Sequence, residues 1–470
     1  METYLSDNPR TQYLETLNNT LDTFFTVEDL GGYRQRAGNG EGPLHTLVGV
    51  LTNLRAYLAR MMALIESDKV VGSTKLPKAY ARRTLIDRAA EDVEVILRAL
   101  QQRMPPLSLN DALVQRLKLA DRLAFAALKP VLSAEAGGLL QEDALLRPTT
   151  TVTYFQKANS IRVIPYAPVA LIGIPFSAAT CIQDLLAIPH EAGHYVYWHE
   201  PLARGSLNGS LARHFWDQPA WVSAWQEEIF ADVYGTLVAG PYMAINFQDI
   251  LADTRRERFV TDDGDHPVAV ARATVFTSTL RAIGYGAIAE QIDAAWDTVV
   301  TDTYGPTTEA MIGGQPVELA VIREHLDTVV QRIVDFDLYH MRKPIAGTWS
   351  WDQPSSAPPE VNLARYKANF DAYLEKLEGE MLQAHTKMGD DLALPFLEID
   401  QEPEVPVMRL VRPGVGELSK QKLGATGNKL DDFLTRAEED DRSLDPALWA
   451  QLLSSGGWTT GPGEISTSGK

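Results

Sequence analysis

His190-Glu191-Ala192-Gly193-His194 is the stretch on which the reading of this chain turns. On an α-helix, residues four apart project from one face, one turn above the other, so both imidazoles reach a single metal ion. Glu191 then lies beside that ion without binding it. It is placed to take a proton from a metal-activated water, whose pKa zinc lowers from about 15.7 to about 7. Gly193, with no side chain, lets other backbone approach the motif closely.

Moving outward, residues 178–198 read as a helix that Pro189 kinks or restarts just before His190. Ahead of it, residues 149–155 and 161–176 are rich in β-branched and aromatic side chains interrupted by Pro and Gly, which predicts a small sheet. Residues 163–182 approach the length of about twenty that a membrane span needs. Pro165, Pro168, Pro175 and Gly173 would break the continuous internal hydrogen bonding of a lipid-exposed segment, so no membrane partner is expected.

Further out, apolar residues recur at helical spacing through the first third of the chain. Leu47, Leu51, Leu54, Leu58 and Met61 form one such stripe, and Leu85, Ala89, Val93, Ile96 and Leu100 another. Breaks at Gly31-Gly32, 38–43, 75–77 and Pro105-Pro106 separate the helices, and Ser108 with Asp111 marks a helix start. Downstream, helical patterns cover 221–239, 268–299, 319–340 and 362–385. The organisation expected is a helical region over 1–145, a unit carrying the motif over 146–387, and an acidic, Pro- and Gly-containing tail over 388–470 that is partly disordered.

The composition excludes several classes. A formal net charge of −19 offers little attraction to nucleic acid or to anionic membrane surfaces. Lys75, Lys78, Arg82 and Arg83 form a local basic cluster that reads as a solvated helix face. Cys181 is the single cysteine, so a Cys-rich zinc site and an intrachain disulfide are both ruled out, and any metal must use His, Asp or Glu. Residues 1–10 are polar and acidic rather than signal-like, and a cytoplasmic location is expected.

Catalytic zinc takes three protein ligands and keeps one open position, so the two histidines need a third partner. Two candidates follow the motif. Glu200 stands where metzincins place theirs, but Tyr197 occupies the position of the glycine that turns their chain. Glu228 opens the run Glu228-Ile229-Phe230-Ala231-Asp232 on a strongly helical segment. That run resembles the ExxxD element of the gluzincins, the thermolysin-like clan of zinc peptidases. A third element, His266-Pro267 followed by Arg272, looks like the HPxxxxR signature of the CAAX-prenyl-protease-like branch of that clan.

The resemblance covers about residues 160–285 and rests on three short motifs in the right order. It implies an α+β, predominantly helical fold with a zincin-like catalytic domain, in which a small sheet packs on the HExxH helix. It further implies that His190, His194 and Glu228 hold one Zn2+ per chain and that Glu191 is the general base. Asp232 would support a motif histidine through its free ring nitrogen, Arg272 would pair with Asp232, and His266 would donate to the developing oxyanion. Glu227, about 100° round the helix from Glu228, is either solvated or a supporting carboxylate.

The activity this implies is zinc-dependent hydrolysis of a protein or peptide substrate, with endopeptidase preferred because no clamp for a chain terminus is visible. A substrate strand would add to a sheet edge near residues 170–176. The alternative is an inactive metal-binding scaffold or protein-interaction module. Trp198, Trp216, Trp221 and Trp225 are read as core packing, His199 and His214 as plain polar residues, and Tyr234 and Tyr339-His340 as having no assigned part in the chemistry.

Overall fold

The structure is a computed structural model that describes residues 42–66, 78–103, 111–132, 150–157, 160–164, 167, 169–199, 201–202, 205–252, 255–336, 349 and 357–386. The tail over 388–470, the break at Gly31-Gly32, Glu200 and Tyr339-His340 lie outside the described residues.

Three helices come first: α1 (Gly42–Glu66), α2 (Lys78–Gln101) and α3 (Asp111–Leu132). The stripes read from the sequence face inward: Leu47, Leu51, Leu54 and Leu58 on α1, and Leu85, Ala89, Val93, Ile96 and Leu100 on α2, are all buried. Next come β1 (Thr150–Gln156), β2 (Ser160–Val163) and β3 (Val169–Pro175), which form a three-stranded mixed sheet in the order β1-β3-β2. β1 runs parallel to β3 with Thr150 opposite Val169, and β2 runs antiparallel with Ser160 opposite Gly173. Six consecutive buried residues in each of β1 and β3 show that helices cover both faces of the sheet.

The order of the sheet corrects one expectation. Residues 170–176 do not form an edge, because β3 is the central strand and both of its neighbours are paired to it. The edge beside the motif helix is β2 instead. It is tied to α2 through Arg162, whose Nε and Nη2 donate to buried Asp92 and to Glu91 at 2.6 Å and 3.0 Å. On the other side of the sheet Asp121 of α3 accepts from the backbone N and Oγ1 of Thr153, while Arg103 pairs with both of its oxygens.

Two short 3-10 helices, Phe176–Ala179 and Ile182–Ala187, lead into α4 (Ile188–His199), so the helix restarts just before His190, with Pro189 in its first turn. After the two-residue strands β4 (Pro201–Leu202) and β5 (Gly205–Ser206) come α5 (Leu207–His214), α6 (Ala220–Ala224) and α7 (Gln226–Ala239). Almost every residue of α7 is buried, which makes it the central helix of the molecule. Then follow α8 (Pro241–Ala252), α9 (Arg256–Phe259), α10 (Ala269–Ala282) and α11 (Gly286–Tyr304). The pattern read as one helix over 268–299 is two, because Gly284 takes φ +94° and ends α10.

A hairpin of β6 (Glu309–Ile312) and β7 (Gln315–Glu318) precedes α12 (Leu319–Asp335), and α13 (Pro359–Thr386) closes the described chain. The result is predominantly helical with a small mixed sheet. One hydrophobic core runs from Leu117 of α3 through the sheet, α4, α7 and α10 to Leu377 of α13. Among the described residues no helix is long and apolar enough to cross a membrane.

Candidate metal centre

Two glycines bring the motif helix against the central helix. A Cβ on Gly193 of α4 would sit 2.8 Å from Ala231 Cα of α7, and one on Gly235 of α7 would sit 3.0 Å from the His190 backbone nitrogen. With hydrogen in both places, α4 and α7 run antiparallel in near backbone contact. That crossing sets His190 opposite Asp232, and His194 opposite Glu227 and Glu228.

Three donor groups converge there: His190, His194 and Glu228. The two Nε2 atoms are 3.1 Å apart. Glu228 Oε2 lies 3.5 Å from His190 Nε2, and Glu228 Oε1 lies 3.4 Å from His194 Nε2. Tetrahedral coordination with bonds of about 2.0–2.1 Å separates donor atoms by about 3.3 Å. The side chains are therefore already spaced for one ion, and two nitrogens with a carboxylate are a donor set that suits a borderline divalent metal.

Both rings are turned so that Nε2 faces the cluster, and the reason is on the other nitrogen. His194 Nδ1 is 2.8 Å from Glu227 Oε1, which also accepts the Trp198 Nε1 hydrogen at 2.7 Å. His190 Nδ1 is 2.9 Å from Asp232 Oδ1. A carboxylate behind each imidazole fixes its tautomer and its aim. Asp232 lies behind His190, the first histidine of the motif. Glu227, left open between a solvated and a supporting part, is the carboxylate behind the second histidine. Its signal in the sequence was weak, because a neighbouring acid on a helix usually points to water.

Arg272, from α10, closes the back of the site. Its Nε and Nη2 donate to the two oxygens of Asp232 at 2.8 Å and 2.9 Å, and Nη2 also donates to Glu228 Oε2 at 3.0 Å. Burial opposes the charge of Asp232, but Arg272 and His190 hold its pKa down at about 2. Glu228 is held low in the same way, against burial, by His194, His266 and Arg272. Burial works against a charge on His194 too, yet the Glu228 and Glu227 carboxylates raise it to about 9. His190 is lowered, chiefly by burial. The Glu228 and Asp232 carboxylates are thus balanced by the Arg272 guanidinium and a proton on His194, and a divalent ion at the three donors would take the place of that proton.

Glu191 is almost fully buried, and its Oε2 has no hydrogen-bond partner among the described residues. Burial pushes its carboxyl up to about 8. A buried carboxyl with one oxygen left over is available to hold or release a proton.

His266 does not begin a helix, since α10 starts at Ala269 after Val268. Its Nε2 lies 3.5 Å from Glu228 Oε1, and its Nδ1 is 2.8 Å from Asp263 Oδ2. Asp263 also accepts the backbone N–H of Asp265 and of His266. Asp262 anchors this loop by accepting from Trp225 Nε1 at 2.9 Å, and Met311 of the hairpin pairs with its backbone. Asp263 and the hairpin were not read from the sequence.

The remaining candidates stay outside the cluster. Tyr234 donates its hydroxyl to the Ala127 carbonyl at 2.6 Å and is buried. Trp198 and Trp225 are buried as expected, whereas Trp216 is 76% exposed and is not core packing. The His214 ring lies edge-on to Phe336. No protein-family model matches this chain, and no curated protein or solved structure matches it.

Proposed function

We propose that this chain is a zinc-dependent peptidase acting through a general base. The observation that carries the reading is the coincidence of three converging donors with a buried, half-partnered carboxyl, Glu191, beside them. His190 Nε2, His194 Nε2 and the Glu228 carboxylate would hold the ion. Bound there, zinc supplies Lewis-acid polarisation of a substrate carbonyl and acidifies water.

The chain's own side chains do the rest. Glu191 takes the proton of the attacking water and later gives it to the departing amine. His266, gripped at Nδ1 by Asp263, donates from Nε2 to the oxyanion as it forms. Arg272 keeps Glu228 and Asp232 from swinging away, and Glu227 and Asp232 hold the two imidazoles in aim.

The burial of all three donors also suits a metal that only stabilises the fold. Against that alternative, a structural site has no use for a base, and Glu191 sits beside the donors with an oxygen uncommitted. The deciding experiment is elemental analysis of the purified protein beside its peptide hydrolysis. About one zinc per chain, lost in His190→Ala and Glu228→Ala, is expected. In Glu191→Gln the zinc should remain while hydrolysis falls by at least about a hundredfold, the scale of general-base catalysis. Zinc that stays put with hydrolysis unchanged in Glu191→Gln would leave the structural reading in its place.

A further inference from the structure

His266 is carried by a stretch that forms neither helix nor strand. Residues 262–268 run irregularly from the bridge at Thr261 to the start of α10, and Asp263, Gly264 and Asp265, just ahead of the histidine, are exposed. A ring on such a segment samples many positions unless the backbone beneath it is tied down. Its Nε2 nevertheless stands 3.5 Å from Glu228 Oε1.

Two sets of bonds hold the segment. From one side the Trp225 indole donates to Asp262 Oδ1 at 2.9 Å, and the same oxygen accepts the Gly264 N–H at 2.9 Å. Trp225 is fully buried and stands at the start of α7, just ahead of Glu227 and Glu228. The bond therefore fixes the loop relative to the helix that supplies the third donor. From the other side β6 holds the backbone: the Met311 N–H donates to the Val260 carbonyl at 2.7 Å, and the Met311 carbonyl accepts the Asp262 N–H at 2.8 Å. Gly264, at φ +93°, then turns the chain, and Asp263 accepts the N–H groups of Asp265 and His266 and holds the ring at Nδ1. Both ties meet at Asp262, whose backbone pairs with β6 and whose side chain pairs with Trp225.

We propose that Asp262 is a positioning residue for the reaction: through its bond to Trp225 it fixes the loop so that His266 Nε2 is aimed at the developing oxyanion. The inference rests on the peptidase reading above and adds to it the residue pair on which the oxyanion donor depends. The rival is that the bond only steadies the fold, as the core packing of Trp225 would suggest. Aim matters because a misplacement of about 1 Å costs as much as about a hundredfold in rate.

The test is a double-mutant cycle on the full zinc-loaded chain, read by hydrolysis of a quenched fluorescent peptide. His266→Ala removes the donor and should lower kcat by about a hundredfold or more. Asp262→Ala should lower kcat by about ten- to a hundredfold with KM changed by less than about twofold, because the donation strengthens in the transition state. In the His266→Ala background it should cost nothing further, since Asp262 acts through that ring. Asp262→Asn keeps an oxygen for the indole and should hold kcat within about threefold of the parent. Trp225→Phe keeps the ring and loses the N–H, and should reproduce the kcat loss of Asp262→Ala. Zinc content should be unchanged throughout.

Two readouts need no turnover. A phosphonate peptide, which carries a charged oxygen like that of the transition state, should bind both Asp262→Ala and His266→Ala at least about tenfold more weakly by calorimetry. The His266 ring-nitrogen signals, assigned by their absence from His266→Ala, should shift and broaden in Asp262→Ala but not in Asp262→Asn. A penalty for Asp262→Ala that persists in full beside His266→Ala would overturn the inference and leave the peptidase reading standing, as would parental kcat in Asp262→Ala or Trp225→Phe. If no peptide is cut although zinc is held, the peptidase reading falls. Ring signals unchanged in Asp262→Ala would then overturn the positioning as well.

Discussion

Arg272 sits where the carboxylates of Asp232 and Glu228 meet, and both of these are buried. Removing one partner of a buried ion pair leaves the other charge without water or counter-charge, at a cost of about 3–5 kcal/mol. Arg272→Met should therefore lower the stability of the metal-free chain by that amount in urea unfolding. Arg272→Lys should recover little, because an ammonium cannot fork onto Asp232 while also reaching Glu228. If Arg272→Met were as stable as the parent, the guanidinium would not be what keeps these carboxylates ionised. Asp232 and Arg272 were readable because their spacing repeats a known pattern. Glu227 and Asp263 matter through whom they face, which a spacing along the chain does not disclose.

At the scale of elements, the crossing of α4 and α7 makes the site. α4 by itself carries two of the three donors and α7 the third. The crossing is close because Gly193 meets Ala231 and Gly235 meets the backbone of His190. Gly193→Ala should force the helices apart and cost about 1–3 kcal/mol, as overpacking does. Its zinc affinity should fall as well, since Glu228 would move away from the two imidazoles. Gly235→Ala meets first the flexible tip of Met243, which can move, and should be milder in zinc affinity. Titration with zinc alone, read by calorimetry, checks the order, and equal affinity in Gly193→Ala would separate the crossing from the metal. The same scale explains the misplaced sheet edge. Residues 170–176 are an apolar run punctuated by Gly and Pro, as an edge or a central strand can be, and only pairing to β1 and β2 makes them central.

At the scale of the whole molecule, metal, protons and stability are linked. In the metal-free chain Glu191 is raised by burial from 4.5 to about 8, and His194, despite burial, is raised from 6.5 to about 9 by Glu228 and Glu227. Both groups hold protons more tightly folded than unfolded. The folded chain therefore binds more protons across about pH 6.5–9, and its stability must fall as pH rises through that window. Urea midpoints of the metal-free chain should decline from about pH 6.5 to about pH 9. The zinc-loaded chain should decline less, because the ion takes the place of those protons. Free zinc at a hundred times its Kd should add about 2.7 kcal/mol. Chelation should remove that gain, and Glu228→Ala should show none to begin with. A chain whose midpoint ignored both zinc and pH would have no such linked site.

The sequence by itself determined the described helices of the first third, the small sheet ahead of the motif and a break in the helix at Pro189, because periodicity, β-branching and proline act within a few residues. It also determined that two histidines share one helical face with an acid between them. Only the tertiary structure decided that β3 is central, that Gly284 divides α10 from α11, and that Glu227 and Asp263 stand behind His194 and His266. These are contacts between residues tens of positions apart, set by which surfaces pack together, and nothing in the local pattern of the chain encodes the partner.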